Sequence, residues 1–188
     1  MTKFILQGGY TSAPVKENQI FFQEIVKGIK GPITILCVYF ASEKTKWPEL
    51  FENEKDKFLK ANPNKKMRFI MATQKNLPKE AKKAKVIFLR GGDHPLIKRY
   101  FSSLKNFKSI IKGKVVVGSS AGVSILSRYY FSNATGRVLK GTGILPIKTF
   151  CHYQKNKKDK LKRLKNYGED LKIYKIPEYK YIIFKKDF

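Results

Sequence analysis

The sequence predicts an α/β fold of three layers, a mostly parallel sheet with helices on both faces. Continuous apolar runs alternate with amphipathic stretches along the chain. The connections between them are short, as expected when consecutive elements pack side by side. No internal repeat or Ser/Pro-rich linker interrupts the order, so residues 1–188 read as a single domain, long enough to bury a sizeable core.

The strands come first. "KFILQ" (3–7), "ITILCVYFA" (33–41), "MRFIMA" (67–72), "VIFL" (86–89) and "VVV" (115–117) are unbroken apolar segments, the pattern of strands covered on both faces. Between them lie helical stripes at i, i+3, i+4 and i+7. Phe22, Ile25, Val26 and Ile29 form one; Trp47, Leu50 and Phe51 begin another, with Pro48 in its first turn. Leu96, Ile97, Tyr100, Phe101 and Leu104 form a third. After Leu126 the pattern weakens. "ILPIKTFCHY" reads as extended, "KNKKDKLKRLK" as a polar helix, and "LKIYKIPEYKYIIF" as a terminal hairpin turning at Pro177-Glu178. Sites in such sheets lie beyond the carboxyl ends of the strands. Three glycine-containing turns, "QGGYTS", "RGGDHP" and "GSSAG", are therefore expected to converge on one edge.

Composition narrows the function. No run of eighteen apolar residues exists, and the N-terminal apolar stretch is too short for a signal segment, so a cytoplasmic protein with no membrane partner is expected. Cys37 and Cys151 lie far apart in apolar runs, so the chain has neither a CxxC nor a zinc pattern. Reduced thiols, and no metal or organic cofactor, are the expectation. The net charge of +26 comes from 40 Lys and Arg against 14 Asp and Glu. Such a field attracts polyanions at low salt whatever the fold. Only six of the forty are Arg, the residue that forks onto phosphates and guanines, and the lysines are dispersed. A lysine-rich solvated surface explains this better than a dedicated nucleic-acid site, although a basic polyanion-binding protein remains one reading.

The chemistry is concentrated in "VVVGSSAGVSILS" (115–127). Gly118-Ser119-Ser120-Ala121-Gly122 fits G-x-S-x-G, in which a tight strand-to-helix turn strains the central serine and exposes its hydroxyl above the sheet. Ser120 is that central residue. The N–H of Ala121 can point at a developing oxyanion. The bland alternative is a helix packed closely on a strand, with a serine N-cap. A serine nucleophile needs a base, and there are only two histidines, His94 after "RGGD" and His152 in "TFCHYQ". Residue chemistry alone does not choose between them.

"GSSAG", with "VIFLRGGDHPLI" before it and "GTGILPIKTFCHY" after it, resembles the peptidase S51 family of dipeptidase E, cyanophycinase and smaller relatives with a class I glutamine amidotransferase-like, flavodoxin-like fold. The likeness runs from "FILQGGYTS" to "IPEYKYIIF". It implies a serine peptidase of dipeptidase or isopeptidase type acting through an acyl-enzyme, with a small peptide as substrate and a monomer or homodimer as the assembly. By the resemblance Ser120 is the nucleophile, His152 the general base, and the Ala121 N–H forms the oxyanion hole with an N–H of the Gly91-Gly92 turn. His94 and Asp93 then belong to the substrate pocket, where Asp93 should disfavour an acidic first residue. The relatives' serine replaces the cysteine of the amidotransferases, which disfavours glutaminase chemistry.

Two departures stand out. The family's usual acid after the serine is missing, since residues 121–151 contain no carboxylate. Asn133 or a backbone carbonyl could orient His152, an acid such as Asp170 or Glu178 could fold in, or the chain is a weak enzyme or a silent binding module. The glycine turn reads G-G-D-H, where dipeptidase E relatives commonly read G-G-N and cyanophycinases G-G-D-Q.

Overall fold

In a computed structural model describing residues 1–102, 104 and 106–188, the apolar runs form the strands of one sheet. These are β1 (Thr2–Gln7), β2 (Ile33–Val38), β3 (Met67–Met71), β4 (Val86–Leu89) and β5 (Val115–Ser119), joined at one edge by β10 (Tyr181–Lys186). The order is β10-β1-β5-β4-β2-β3, and only the β10 pairing is antiparallel. Strands β1, β2, β4 and β5 supply core residues such as Phe4, Leu36, Phe88 and Val117, each fully buried. That double-sided burial is why these strands lack polar alternation.

Helices α1 (Lys16–Val26), α2 (Trp47–Ala61), α3 (Leu77–Lys83), α4 (His94–Ser102), α5 (Phe107–Ile111) and α6 (Ala121–Leu126) flank the sheet, giving the three-layer α/β architecture. α1 packs on α2, α3 on α5, and α4 on α6. The apolar stripes face the core as their spacing requires: Phe22 of α1 and Phe58 of α2 meet edge-on at 4.8 Å, and both touch Phe88 of β4. One stripe overruns its helix: α1 stops at Val26, before Gly28 at φ 78°, so Ile29 packs on the core from the segment that follows, and Leu104 also packs on the core.

After α6 the chain builds a second sheet. β6 (Ser127–Ser132) turns through Gly136 into β7 (Arg137–Lys140), and β8 (Leu145–Cys151) and β9 (Ile173–Ile176) complete the order β7-β6-β8-β9. α7 (Lys158–Lys165) covers it, burying Leu164 against Tyr129, Phe131 and Phe150. The expected terminal hairpin does not form. β9 pairs in parallel with β8, and β10 pairs antiparallel with β1, so the Pro177–Lys180 link crosses from one sheet to the other. An apolar run shows that a strand exists but does not choose its partner, and here each strand completes a different sheet.

Candidate active site

β1, β5 and β4 are neighbours, so the loops beyond their carboxyl ends meet, as do those of β8 and β9. β5 breaks sharply at Ser120, whose backbone adopts φ 48°, ψ −107°. A non-glycine residue there is strained and needs fixing by its surroundings. The Ser120 N–H donates to the Gln7 carbonyl at 3.0 Å, and the Ser120 carbonyl accepts from the N–H groups of Val123 and Ser124 at 2.9 and 3.0 Å. The turn is tight: a Cβ on Gly122 would lie 2.2 Å from the Leu89 carbonyl oxygen. Ser120, Tyr10, His152 and Tyr179 all have positive φ, and all four sit at this junction.

The Ser120 Oγ lies 2.9 Å from Nε2 of His152, and Nδ1 of the same ring lies 3.1 Å from Oε1 of Glu178. For the serine hydroxyl to donate to Nε2, the ring must carry its proton on Nδ1 and donate it to the carboxylate. His152 is held from below by its N–H on the Gly8 carbonyl, 3.0 Å, and from the side by the edge of Tyr10, centroids 5.5 Å apart. Gly9 makes room for the ring: at φ 129°, a Cβ on it would sit 2.1 Å from Cε1 of His152. Glu178 arrives because the Pro177–Lys180 crossover passes over the end of β1, with the Tyr179 N–H donating to the Gly9 carbonyl at 3.3 Å.

The two adjacent serines have different surroundings. The Ser119 hydroxyl is buried and donates to Oε1 of Gln7 at 2.9 Å, an oxygen that also accepts from the Gly9 N–H. It ties the β5 turn to the β1 turn. Both serines border a cavity of about 290 Å³, lined also by Tyr10, Thr11, Arg90, Gly91, Gly92 and His152, but only the Ser120 hydroxyl lies within hydrogen-bond distance of His152. Ala121 is the first residue of α6, where an amide has no intrahelical acceptor. Gly92 borders Ser120 in both neighbouring cavities, and a Cβ on it would fall 2.3 Å from the Ala41 carbonyl oxygen.

His94 faces a second, smaller cavity of about 200 Å³ with Ser120, Asn133 and His152 in its wall. Its ring stacks on Tyr130 at 4.9 Å, and its Nε2 lies 3.0 Å from Ser124 Oγ, which is itself 3.3 Å from the Ser120 carbonyl oxygen. Burial holds the His94 imidazole below its ordinary 6.5, against the opposing pull of Asp93. Asn133 does not reach the His152 ring; its amide donates to the Cys151 carbonyl at 3.1 Å, which leaves Nδ1 to Glu178. The Asp93 carboxylate accepts the Leu96 N–H at 2.8 Å at the start of α4, and Asp93 is not among the residues lining the two cavities beside Ser120. Asp170 makes no ion pair with His152. Burial pushes the Cys151 thiol up to about 12, so that sulfur stays protonated beside the serine. Among the described residues no cluster of His, Cys, Asp and Glu could hold a metal ion, and no helix is long and apolar enough to cross a membrane.

Sequence reasoning passed over Gln7, Tyr10, Arg90 and Glu54. Fully buried Glu54 of α2 accepts the Arg90 Nε–H at 3.3 Å, and Arg90 Nη1 donates to the Gly91 carbonyl, so α2 anchors the glycine turn. The signal available was an acid, Glu54, on the apolar side of an amphipathic helix.

A family model described as peptidase family S51 matches residues 4–187. A crystal structure of a peptidase from an acI-B1 Actinobacterium is similar at TM-score 0.68 and 15% identity, covering 98% of this chain and 84% of that one. A putative peptidase E protein from Listeria monocytogenes EGD-e is similar at TM-score 0.67 and 17% identity, covering 98% and 94%. No curated protein sequence matches the chain.

Proposed function

We propose that this chain, which belongs to peptidase family S51, is a serine peptidase that hydrolyses short peptides through an acyl-enzyme, with Ser120, His152 and Glu178 as its triad. The observation that carries the reading is the unbroken relay from Ser120 Oγ through the two ring nitrogens of His152 to Glu178. Ser120 Oγ attacks the scissile carbonyl carbon while its proton passes to His152 Nε2. The imidazolium so formed keeps its Nδ1–H on the Glu178 carboxylate, which stabilises the positive charge without taking the proton. The carbonyl oxygen, now an oxyanion, accepts from the N–H groups of Ala121 and Gly92. Collapse breaks the C–N bond, and Nε2–H protonates the leaving amine. Water then repeats the sequence on the ester, giving its proton to Nε2 and releasing the acid and the free serine.

The missing acid in residues 121–151 is therefore replaced from the C-terminal crossover, which argues for an active enzyme in preference to a silent binding module. Dipeptide or isopeptide cleavage fits the small cavities on either side of Ser120, about 290 and 200 Å³. Profiling the purified protein on a dipeptide library that includes β-aspartyl peptides tests this. Hydrolysis of one class by the wild type and not by Ser120→Ala supports the proposal; equal rates for both proteins overturn it.

A further inference from the structure

The cavity at Ser120 does not end at the glycine turns. It shares Thr11 and Ser12 with a groove of about 710 Å³ that runs between the segment before α1 and the exposed side of α2. That volume falls within the roughly 300–1,000 Å³ typical of ligand sites. Phe22 and Ala61 contribute apolar walls, and Lys16, Lys57 and Lys60 face Asp56 as the one acid among the lining residues.

The positive charge there is only partly neutralised. Lys60 and Asp56 pair at 2.7 Å, but both are more than half exposed, where such a pair is weak and readily rearranged. Lys57 and Arg90 share the buried carboxylate of Glu54, at 3.2 and 3.3 Å. Glu54 thus joins the groove to the catalytic cavity, with one cation on each side. Lys16 is exposed at the start of α1.

We infer that this groove binds an acidic segment of a peptide substrate longer than two residues, lying on one side of the scissile bond while the smaller 200 Å³ cavity beside His94 takes the residue on the other. The inference rests on the peptidase reading for its placement at the scissile bond. Binding in the groove can be measured without hydrolysis. The lysines are complementary to carboxylate side chains, and in a partly walled groove that complementarity sets specificity more than total affinity.

The test uses the full chain carrying Ser120→Ala and a fluorescein-labelled hexaglutamate peptide, with Kd read by anisotropy at 0.15 M salt. Lys16→Gln/Lys57→Gln/Lys60→Gln should weaken binding at least about tenfold. Lys82→Gln/Lys83→Gln/Lys112→Gln, which removes the same charge from the opposite end of the sheet, should change it less than about twofold. If the first triple unfolds, the exposed pair Lys16→Gln/Lys60→Gln replaces it, with an expected loss of about fivefold. Equal weakening by the two sets overturns the groove, because the general field of the protein then explains the binding. Wild-type hydrolysis of glutamate-extended peptides provides the second arm. Cleavage with a kcat/KM at least tenfold above the parent dipeptide, from either an N-terminal or a C-terminal extension, supports the inference, and cleavage of the parent dipeptide with no gain from either extension overturns it. Groove-dependent binding with no hydrolysis of any peptide would keep the groove and overturn the peptidase reading.

Discussion

Replacing Glu178 by Gln keeps an oxygen acceptor opposite Nδ1 of His152 and removes only the charge. The carboxylate oxygen is 3.1 Å from Nδ1, so the charge centres of carboxylate and imidazolium are about 4 Å apart. At that separation the attraction is worth about 4 kcal/mol at an effective dielectric of about 20. Both side chains are near 30% exposed, at 28% and 32%, and water screens the pair further. A discounted value of about 2–3 kcal/mol corresponds to roughly 30–150-fold in rate. The assay is the second-order rate of fluorophosphonate labelling followed by intact mass, which needs no knowledge of the natural substrate. Glu178→Gln should label roughly 30–150 times more slowly than wild type, and Asn133→Ala within about threefold of it. The reasoning is refuted if Glu178→Gln labels within threefold of wild type while Asn133→Ala falls tenfold or more.

Ser119→Ala breaks the buried bond to Gln7 and should cost about 1 kcal/mol in stability, seen as a lower Tm, while hydrolysis persists; Ser120→Ala should abolish turnover with Tm little changed. Gly9→Ala would put a methyl group inside the space of the His152 ring, so labelling should fall at least about a hundredfold with the far-UV circular dichroism spectrum retained; wild-type labelling would show that Gly9 does not set the ring position. Because burial lowers the His94 pKa below 6.5, the unfolded chain binds the proton more readily than the folded one once pH drops below that value. Stability is therefore unaffected above about pH 7 and is lost as pH falls through 6.5 toward the lower folded value. His94→Gln should flatten the Tm-versus-pH curve between pH 7 and 5, and an unchanged slope would assign the acid sensitivity elsewhere.

How far the sequence disclosed this site depended on whether the chemistry was local. The β5 strand, the strained serine and the helix after it are contiguous, so Val115 to Leu126 could be read directly as strand, elbow and helix. The choice of His152 over His94 needed the family resemblance, because both histidines follow strands whose ends approach Ser120. Glu178 could be named only as one of several candidates. It reaches His152 because β9 and β10 join different sheets, and nothing local in "KIPEYKYIIF" distinguishes that crossover from a hairpin turn. A carboxylate after a glycine turn can face a ligand or cap the next helix, and the sequence does not show that the Asp93 carboxylate accepts the Leu96 N–H. Glu54 and Gln7 organise the site from fully buried positions, through bonds spanning 36 and 112 residues to Arg90 and Ser119.

The central claim is that Ser120 is activated by His152. Peptide mapping of the purified protein after fluorophosphonate treatment tests it most directly. A single adduct is expected on the tryptic peptide containing Ser119 and Ser120, assigned by fragmentation to Ser120 and absent in His152→Ala. An adduct on Ser119, or full labelling that survives His152→Ala, would contradict it.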